Sequence, residues 1–246
     1  MSNSDFLLAA ERLVYRYPGQ TEPALRGVDL RLARRQAVGL LGPNGSGKST
    51  LINLLIGLRT PQAGRITHAS GRAPVIAWVP QECAFYPELS CRENLRLFAG
   101  MLDQPTVDVD RRVEAAIASC MLQDFADHRA RYCSGGVRRR LNFGIALLQQ
   151  PDVLLLDEPT AGVDPQSRAF LLDRVRELVR AGTSVLYATH YMEEVSAVCS
   201  QILLLDRGRL LASGDLATLL RGPAGGSPFD NLEALFMHYT RRQLRD

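Results

Sequence analysis

Lysine is almost absent from this chain of 246 residues. Of its 29 Lys and Arg residues only Lys48 is a lysine, and all the others are arginine. Arginine carries a broad planar fork, whereas lysine carries a compact charge on a thin stem. A chain that uses arginine everywhere else and keeps lysine at one position indicates a site there that needs the smaller shape.

Long apolar segments are also missing. No apolar run approaches the ~20 residues that a membrane helix needs. The first residues, Met1-Ser2-Asn3-Ser4-Asp5, are polar and lack the basic region that opens a secretory signal. We therefore expect a soluble chain, in which any membrane role comes through a partner.

Cysteine and net charge are both low. The 5 cysteines, an odd number without metal-ligand spacing, indicate free thiols in a reducing compartment. The formal net charge of +3 is too small to indicate nucleic-acid binding. We interpret most of the short arginine clusters as solvated faces; the clusters are Arg34-Arg35, Arg111-Arg112, Arg138-Arg139-Arg140 and Arg241-Arg242. The 46% hydrophobic content is that of an ordinary globular protein, so the function has to be sought in motifs.

The stretch around Lys48 fits the phosphate-loop pattern G-x-x-x-x-G-K-S. It reads Gly42-Pro43-Asn44-Gly45-Ser46-Gly47-Lys48-Ser49-Thr50. An apolar run over residues 37–41 precedes it and a helical run over 51–56 follows, which is the strand-loop-helix context that the motif needs. Inward N–H groups and the helix N-terminus favour a phosphate there. We expect Lys48 to reach the β- and γ-phosphates and Ser49 to bind Mg²⁺. The alternative is a glycine-rich turn whose lysine is there by chance.

The N-terminal part of the chain predicts an antiparallel layer beside a main sheet. Residues 6–17 and 25–32 read as strands, with Pro18-Gly19-Gln20 as the break between them. Tyr17 closes the first of these strands, where its ring could stack on a base or lie at a sheet edge.

Strands alternate with helices in most of the remaining chain, which favours an α/β fold with a mostly parallel sheet. Strands are predicted at residues 65–68, 74–80, 153–158, 184–190, 202–206 and 209–212, the last two as a hairpin. Helices are predicted between them at residues 167–180 and 192–198.

Residues 82–150 differ from this pattern and predict a helical lobe inserted into the α/β core. They carry helical runs at 91–100, 109–121 and 137–149, with Pro105 separating two of them. Towards the C-terminus, residues 222–228 read as a flexible linker and residues 231–242 as a short amphipathic helix.

Two adjacent carboxylates end the apolar run Val153-Leu154-Leu155-Leu156. An unbroken apolar strand is typical of the centre of a parallel sheet, and ligands bind at the carboxyl ends of such strands. Asp157 could hold the hydration shell of Mg²⁺ beside the phosphate loop, and Glu158 could orient and deprotonate an attacking water. The alternative is a pair of carboxylates that only solvate a strand end.

Taken together, these motifs resemble the ATPase subunit of an ATP-binding cassette (ABC) transporter, and the resemblance covers nearly the whole chain. The family order and spacing are met by residues 42–50 and 153–158, and by Gln81, Ser134-Gly135-Gly136, Asp164 and His190. The resemblance implies a P-loop NTPase fold in a single domain, with an α/β core (1–81 and 151–214), a helical subdomain that carries the signature (82–150) and a C-terminal linker and helix (215–246).

The same resemblance implies roles for single residues. Lys48, Glu158 and His190 would be catalytic, with Glu158 as the general base and His190 at the γ-phosphate. Tyr17 would stack on adenine, and the ATP phosphates would be bound by Gly42, Pro43, Asn44, Gly45, Ser46, Gly47, Lys48, Ser49 and Thr50. The metal would be held by Ser49, Gln81 and Asp157. Ser134, Gly135 and Gly136 would bind ATP held by a second copy, close to Asp164.

Two motifs depart from the usual family pattern. The signature, usually Leu-Ser-Gly-Gly-Gln, reads Cys133-Ser134-Gly135-Gly136-Val137 here, and the loop usually written Ser-Ala-Leu-Asp reads Ala161-Gly162-Val163-Asp164. The arginines after the signature and the tail at residues 232–237 are similar to drug-, lipid- or polysaccharide-exporting members, including the daunorubicin-resistance type.

The resemblance implies a transporter motor that uses ATP and Mg²⁺ and closes as a dimer with a second copy or a paralogous subunit. An integral membrane subunit would seat near residues 81–95, which places the chain at the cytoplasmic face of the cell membrane, without nucleic acid. One alternative is a soluble ABC ATPase working on ribosomes or DNA, although such proteins usually carry two cassettes or a long coiled-coil insertion. A second alternative is a nucleotide-binding module that does not hydrolyse ATP. The presence of Glu158 and His190 argues against it.

Overall fold

The computed structural model describes residues 6–68, 72–102, 109–222 and 228–240. Several sequence predictions lie wholly or partly outside these ranges: the polar segment 1–5, the break at Pro105, most of the 222–228 linker and the last residues of the 231–242 helix. Within the described ranges, no helix is both long and apolar enough to cross a lipid bilayer.

The main sheet confirms the predicted α/β fold. Its strands are β3 (Ala37–Leu41), β5 (Ile76–Val79), β6 (Val153–Asp157), β7 (Ser184–Thr189), β8 (Gln201–Asp206) and β9 (Arg209–Asp215). They lie in the order β5-β6-β7-β3-β8-β9, all parallel to their neighbours except β9, which pairs antiparallel with β8. The strands β3, β6 and β7 are buried along their whole length, which explains their apolar sequences because both sheet faces are covered.

A separate antiparallel sheet contains β1 (Phe6–Tyr15), β2 (Leu25–Ala33) and β4 (Ala63–His68) in the order β2-β1-β4. It confirms the predicted N-terminal layer and adds a third strand to it. The first strand ends at Tyr15, two residues earlier than predicted, because the N–H and the carbonyl of Arg16 bond to the Gln62 side chain and not to a neighbouring strand. Tyr17 therefore lies in a turn, where its carbonyl accepts a hydrogen bond from the Gln20 N–H at 3.1 Å.

Helix α1 (Lys48–Leu55) follows β3, and the described residues between β5 and β6 form α2 (Cys91–Gly100), α3 (Val109–Ser119) and α4 (Gly135–Leu147). Ser90 and Glu93 start α2 with a reciprocal capping box, in which Ser90 Oγ accepts from the Glu93 N–H at 3.1 Å. Helix α4 begins at Gly135, two residues before its predicted start. The reason is Ser134, whose Oγ accepts from the Val137 N–H at 3.3 Å and so caps the helix.

The C-terminal part contains α5 (Pro165–Ala181), α6 (Met192–Val198), α7 (Leu216–Leu220) and α8 (Leu232–Thr240). The sequence did not predict α7, whose N-cap Asp215 accepts from the Thr218 N–H at 3.1 Å. Helix α8 buries Leu232 and Leu235 within the same core as the main sheet.

Strand β6 separates two apolar cores. Leu154 and Leu156 belong to the core that continues into the helices α2–α4. Val153 and Leu155 belong to the core under α1 and the antiparallel sheet. Because alternate side chains of a strand point to opposite faces, packing on both sides fixes β6 and thereby the position of the carboxylates at its end.

Candidate active site

The loop between β3 and α1 is closely packed against the strand that runs beside it. A Cβ added to Gly42 would lie 2.2 Å from the Leu205 carbonyl oxygen of β8, so no side chain fits there. Gly47, the N-cap of α1, has φ 111°, a backbone conformation that favours glycine. These two glycines allow the loop to close tightly before the helix begins at Lys48, three residues before the helical run predicted at 51–56.

Lys48 is buried, with 5% of its surface exposed, and its ammonium nitrogen lies among oxygen atoms. Nζ donates to the Gly42 carbonyl at 2.8 Å and to the Pro43 carbonyl at 3.2 Å, and lies 3.4 Å from Glu158 Oε1. Burial lowers the pKa of Lys48, while the charges of Glu158 and Asp157 act in the opposite direction. The lysine is thus held by its own loop and by the end of β6.

Asp157 ends β6 and is 3% exposed. Burial raises the pKa of this carboxyl, and so does the charge of Glu158, while a hydrogen bond with Ser49 and the charge of Lys48 lower it. Among the described residues, none forms a hydrogen bond with its buried Oδ1 atom or with the buried Ser46 Oγ of the loop. Unpartnered buried polar atoms are costly, which makes these two atoms natural contacts for a ligand.

Glu158 lies just beyond the strand, in a turn with φ +46°, which is unusual for a residue other than glycine. Its N–H donates to the Ala188 carbonyl of β7 at 2.9 Å. Oε1 of Glu158 lies 3.1 Å from His190 Nδ1 as well as 3.4 Å from Lys48 Nζ. The structure therefore brings together Lys48, Glu158 and His190, the three residues that the family resemblance implies to be catalytic.

Tyr17 lies next to the N-terminal end of α1, where its hydroxyl is 3.1 Å from Thr50 Oγ1. Its ring is covered by the Arg59 guanidinium, 4.7 Å from the ring centroid, and the Tyr15 ring meets it edge-on at 5.1 Å. The sequence analysis missed Arg59, because nothing in the local pattern indicates which ring a surface arginine will cover.

Gln81 follows β5, the hydrogen-bonded neighbour of β6, so it lies at the same sheet edge as Asp157. Its side chain is exposed, and its carbonyl accepts a hydrogen bond from the Arg139 guanidinium of α4. The same guanidinium donates to the Ala161 carbonyl at 3.2 Å. Arg139, which belongs to one of the short arginine clusters, therefore joins α4 to the segments that follow β5 and β6.

The Ser134-Gly135-Gly136 motif starts α4 and packs against the start of α5. A Cβ added to Gly136 would lie 2.0 Å from Ser167 Oγ and 2.9 Å from Asp164 Oδ2. Asp164 caps α5, its Oδ1 accepting from the Ser167 N–H at 2.9 Å and its Oδ2 from the Ser167 hydroxyl at 2.7 Å. These bonds lower the pKa of Asp164. Val137, where the family usually has glutamine, is buried in the core.

Glu194 on α6 was missed by the sequence analysis, which read it only as part of a helix. It is fully buried and accepts hydrogen bonds from Thr160, Tyr187 and Thr189. The sequence signals only an acidic residue next to an apolar one in a short predicted helix, and the structure shows that both Glu194 and Val195 are buried.

The chain is similar in sequence to several known proteins. The family model described as ABC transporter matches residues 25–161. The Nod factor export ATP-binding protein I of Cupriavidus pinatubonensis is 39% identical over 206 residues, which are 80% of this chain and 63% of that protein. The daunorubicin resistance ATP-binding protein DrrA3 of Streptomyces coeruleorubidus is 40% identical over 216 residues, 84% of this chain and 68% of the relative. The chain thus spans about two thirds of the length of these relatives.

Solved structures include a similar fold over nearly the whole chain. The ATP-binding subunit of an ABC transporter superposes with a TM-score of 0.83 at 28% sequence identity, and the match covers 95% of this chain and 99% of that one.

Proposed function

Because this chain belongs to the ABC transporter family, as an ATP-binding subunit, we propose that it is the ATP-hydrolysing motor subunit of an exporter. The observation that carries the proposal is the convergence of Lys48 and His190 on one oxygen of Glu158, beside the buried Asp157. The direction of transport is supported by the Cupriavidus relative, whose name states export. The alternative of a soluble ABC ATPase on ribosomes or DNA has no counterpart among the relatives described above.

ATP would be bound by the phosphate loop and by Tyr17. The loop closes on the N-terminus of α1, where free N–H groups and the helix dipole favour phosphate. Lys48 would direct its ammonium group to the β- and γ-phosphates. Tyr17 would stack on the adenine. The Arg59 guanidinium, which covers the Tyr17 ring, would then have to move aside or to cover only part of that ring. The phosphate contacts would come from Gly42, Pro43, Asn44, Gly45, Ser46, Gly47, Lys48, Ser49 and Thr50.

Magnesium would be held by Ser49, Asp157 and Gln81. Hydroxyl, carboxylate and amide oxygens are the donors that this ion prefers, and the unpartnered Asp157 Oδ1 fits the role. Bound there, the ion would neutralise charge on the β- and γ-phosphates.

Glu158 would act as the general base. Its carboxylate would take a proton from the water that attacks the γ-phosphorus, as the bond to the leaving ADP oxygen breaks. His190 would contact the γ-phosphate and hold Glu158 in place through their 3.1 Å contact. Both residues sit at the ends of fully buried strands, β6 and β7, so their backbones are fixed before ATP arrives.

A second copy of this chain, or a paralogous subunit, would complete each site. Ser134, Gly135 and Gly136 open a helix that is itself an anion site, and they would reach ATP bound by the partner. Asp164 fixes the position of this motif through Ser167. An integral membrane subunit would seat near residues 81–95 and hold the chain at the cytoplasmic face of the membrane.

The test of the proposal is the Glu158→Gln variant, measured for ATP binding and for release of phosphate. The amide keeps the shape of the side chain but cannot accept the proton, and loss of a general base typically costs 10²–10⁴-fold in rate. We expect the variant to bind Mg-ATP, to hydrolyse it slower by about that factor and to accumulate as a dimer.

The matched control is Glu193→Gln, which makes the same change at an exposed glutamate of α6. It should hydrolyse ATP at the rate of the parent. Near-normal turnover of Glu158→Gln would remove Glu158 from the role of base, and a parent without any ATPase activity would refute the proposed function itself.

A further inference from the structure

A buried carboxylate lies behind the proposed site. Glu194 of α6 has 0% of its surface exposed. Its Oε1 accepts from Thr160 Oγ1 at 2.6 Å and forms an ion pair with Arg168 Nε at 2.8 Å. Its Oε2 accepts from the Tyr187 hydroxyl at 3.0 Å and from Thr189 Oγ1 at 3.1 Å. Each carboxylate oxygen thus has two polar partners.

Burial of a carboxylate destabilises a fold unless both of its oxygen atoms have hydrogen-bond or ion-pair partners. Removing an ionised carboxylate from water costs several kcal/mol, and only full pairing and hydrogen bonding offsets that cost. Thr160, Tyr187 and Thr189 are themselves buried, at 4%, 0% and 0% exposure. An apolar side chain on this face of α6 would fill the same space without the cost. The polar cluster therefore calls for an explanation other than stability.

The partners of Glu194 adjoin the two residues of the proposed hydrolytic pair. Thr160 lies two residues after Glu158, in a turn closed by the Ala161 N–H, which donates to the Glu158 carbonyl at 3.1 Å. Thr189 directly precedes His190, and its Oγ1 also accepts from the Tyr191 N–H at 3.0 Å. One carboxylate thus holds the backbone on the C-terminal side of Glu158 and on both sides of His190.

Glu158 needs such support because of its backbone conformation. A residue other than glycine at φ +46° has a strained backbone, and it keeps this conformation only where surrounding contacts hold it in place. The Glu158 N–H bond to Ala188 fixes the turn on one side, and the Thr160 bond to Glu194 fixes it on the other.

We propose that Glu194 is a positioning residue, which sets the distance between Glu158 and His190 by tying the Thr160 turn to the end of β7. The inference rests on the proposed function, because it assigns Glu194 to the same hydrolytic site. Arg168 extends the link to α5, which has Asp164 as its N-cap and Ser167 in its first turn. A misplacement of about 1 Å in such a pair can cost on the order of 10²-fold in rate.

The test compares Thr160→Val with Thr160→Ser. Valine keeps the shape of threonine but removes the donor to Glu194, whereas serine keeps the hydroxyl. We expect Thr160→Val to lower kcat roughly tenfold or more, with the Kd for a fluorescent ATP analogue within about twofold of the parent, since the phosphate loop is untouched. Thr160→Ser should keep kcat within about twofold.

Tyr187→Phe is the control for a purely structural role, because it also removes one hydroxyl from Glu194 but leaves the Thr160 and Thr189 bonds that tie Glu194 to the segments beside Glu158 and His190. It should lower the melting temperature while leaving kcat per folded molecule near that of the parent. Glu194→Gln replaces one acceptor oxygen by an NH₂ group, which cannot accept hydrogen bonds from the surrounding hydroxyl groups. This variant should reproduce the Thr160→Val loss of kcat.

Two outcomes would overturn the inference. One is a kcat of Thr160→Val equal to that of Thr160→Ser, and the other is equal losses of kcat in Thr160→Val and Tyr187→Phe. A parent protein that does not hydrolyse ATP would instead count against the proposed function and is recognised before any variant is compared.

Discussion

At the scale of single residues, the surroundings of Lys48 show why the chain keeps a lysine there. The ammonium nitrogen fits among the Gly42 and Pro43 carbonyls and Glu158 Oε1, with 5% of the residue exposed. A guanidinium group is planar and wider and places its donors along a fork, so it cannot occupy the same space. The loop excludes arginine by shape, since both residues carry the same charge.

Amine-selective labelling should therefore inactivate the protein at one side chain. Lys48 is the only lysine, so the modified groups should be Lys48 and the N-terminus. Loss of ATP binding should follow the modified fraction of Lys48, read by peptide mass spectrometry, and Mg-ATP should protect it. Lys48→Arg should fail to bind ATP. Intact ATP binding after full modification of Lys48 would show that this side chain does not hold the phosphates.

Asp157 gives a prediction about stability. Because burial raises its pKa, the folded chain holds the proton of this carboxyl more tightly than the unfolded chain does. Its contribution to stability therefore falls as the pH rises from the unfolded to the folded pKa, and above both values the ionised group is a constant cost. Asp157→Asn removes that cost.

We expect Asp157→Asn to melt a few °C higher than the parent at neutral pH without nucleotide, and to gain less from Mg-ATP, since a metal ligand is lost. Thermal melts with and without Mg-ATP measure both effects. The same change at the exposed Asp173 should leave the melting temperature near that of the parent. A variant that melts lower than the parent would mean that the ionised carboxylate stabilises the fold.

At the scale of elements, the start of α4 is held against the start of α5 by a glycine. Gly136 lets the helix approach Ser167, whose hydroxyl is fixed by its 2.7 Å bond to Asp164 Oδ2. The Ser167 side chain therefore cannot turn away without breaking that bond. The contact explains why a helix-weakening residue stands in the first turn of α4.

Gly136→Ala should destabilise the protein even though alanine is the better helix former. The gain in helix propensity is at most about 1 kcal/mol, whereas forcing a methyl group to within 2.0 Å of Ser167 Oγ is overpacking, which typically costs about 1–3 kcal/mol. Urea unfolding should show the loss. Gly135→Ala is the matched control, since its nearest neighbour would be the Gly162 carbonyl at 3.7 Å, and it should not destabilise. Equal stability of the two variants would contradict the contact.

At the scale of the whole molecule, a site shared between two copies makes a prediction that a site within one chain cannot. Lys48→Ala should destroy the phosphate loop, and Ser134→Arg should block the signature with bulk. Each variant alone forms dimers with two damaged sites. A mixed dimer has one intact site, which joins Lys48 of one chain to Ser134 of the other, so ATPase activity should return on mixing.

Each variant mixed with itself is the control and should stay inactive. If Ser134→Arg alone hydrolyses ATP at the rate of the parent, the Ser134 motif does not touch nucleotide and the shared site is refuted.

The predictions that came from adjacent residues were largely confirmed. Strand β3, the loop and α1 follow each other as the pattern G-x-x-x-x-G-K-S requires, and α2 begins and ends at the predicted residues. The start of α4 was predicted two residues late because the glycines were read as loop, although the Ser134 cap stands in the sequence. Helix α7 was missed because its five residues carry too short a pattern to separate from a turn.

The sequence by itself determined the α/β class, the phosphate loop and the family, because each depends on residue types at fixed spacing along the chain. Only the tertiary structure decided which side chains meet. The contacts of Glu158 with Lys48 and His190, and of Glu194 with Thr160 and Thr189, join segments that are distant along the chain. They depend on the order in which β3, β6 and β7 pair and on which face of α6 is buried, and long-range packing sets both.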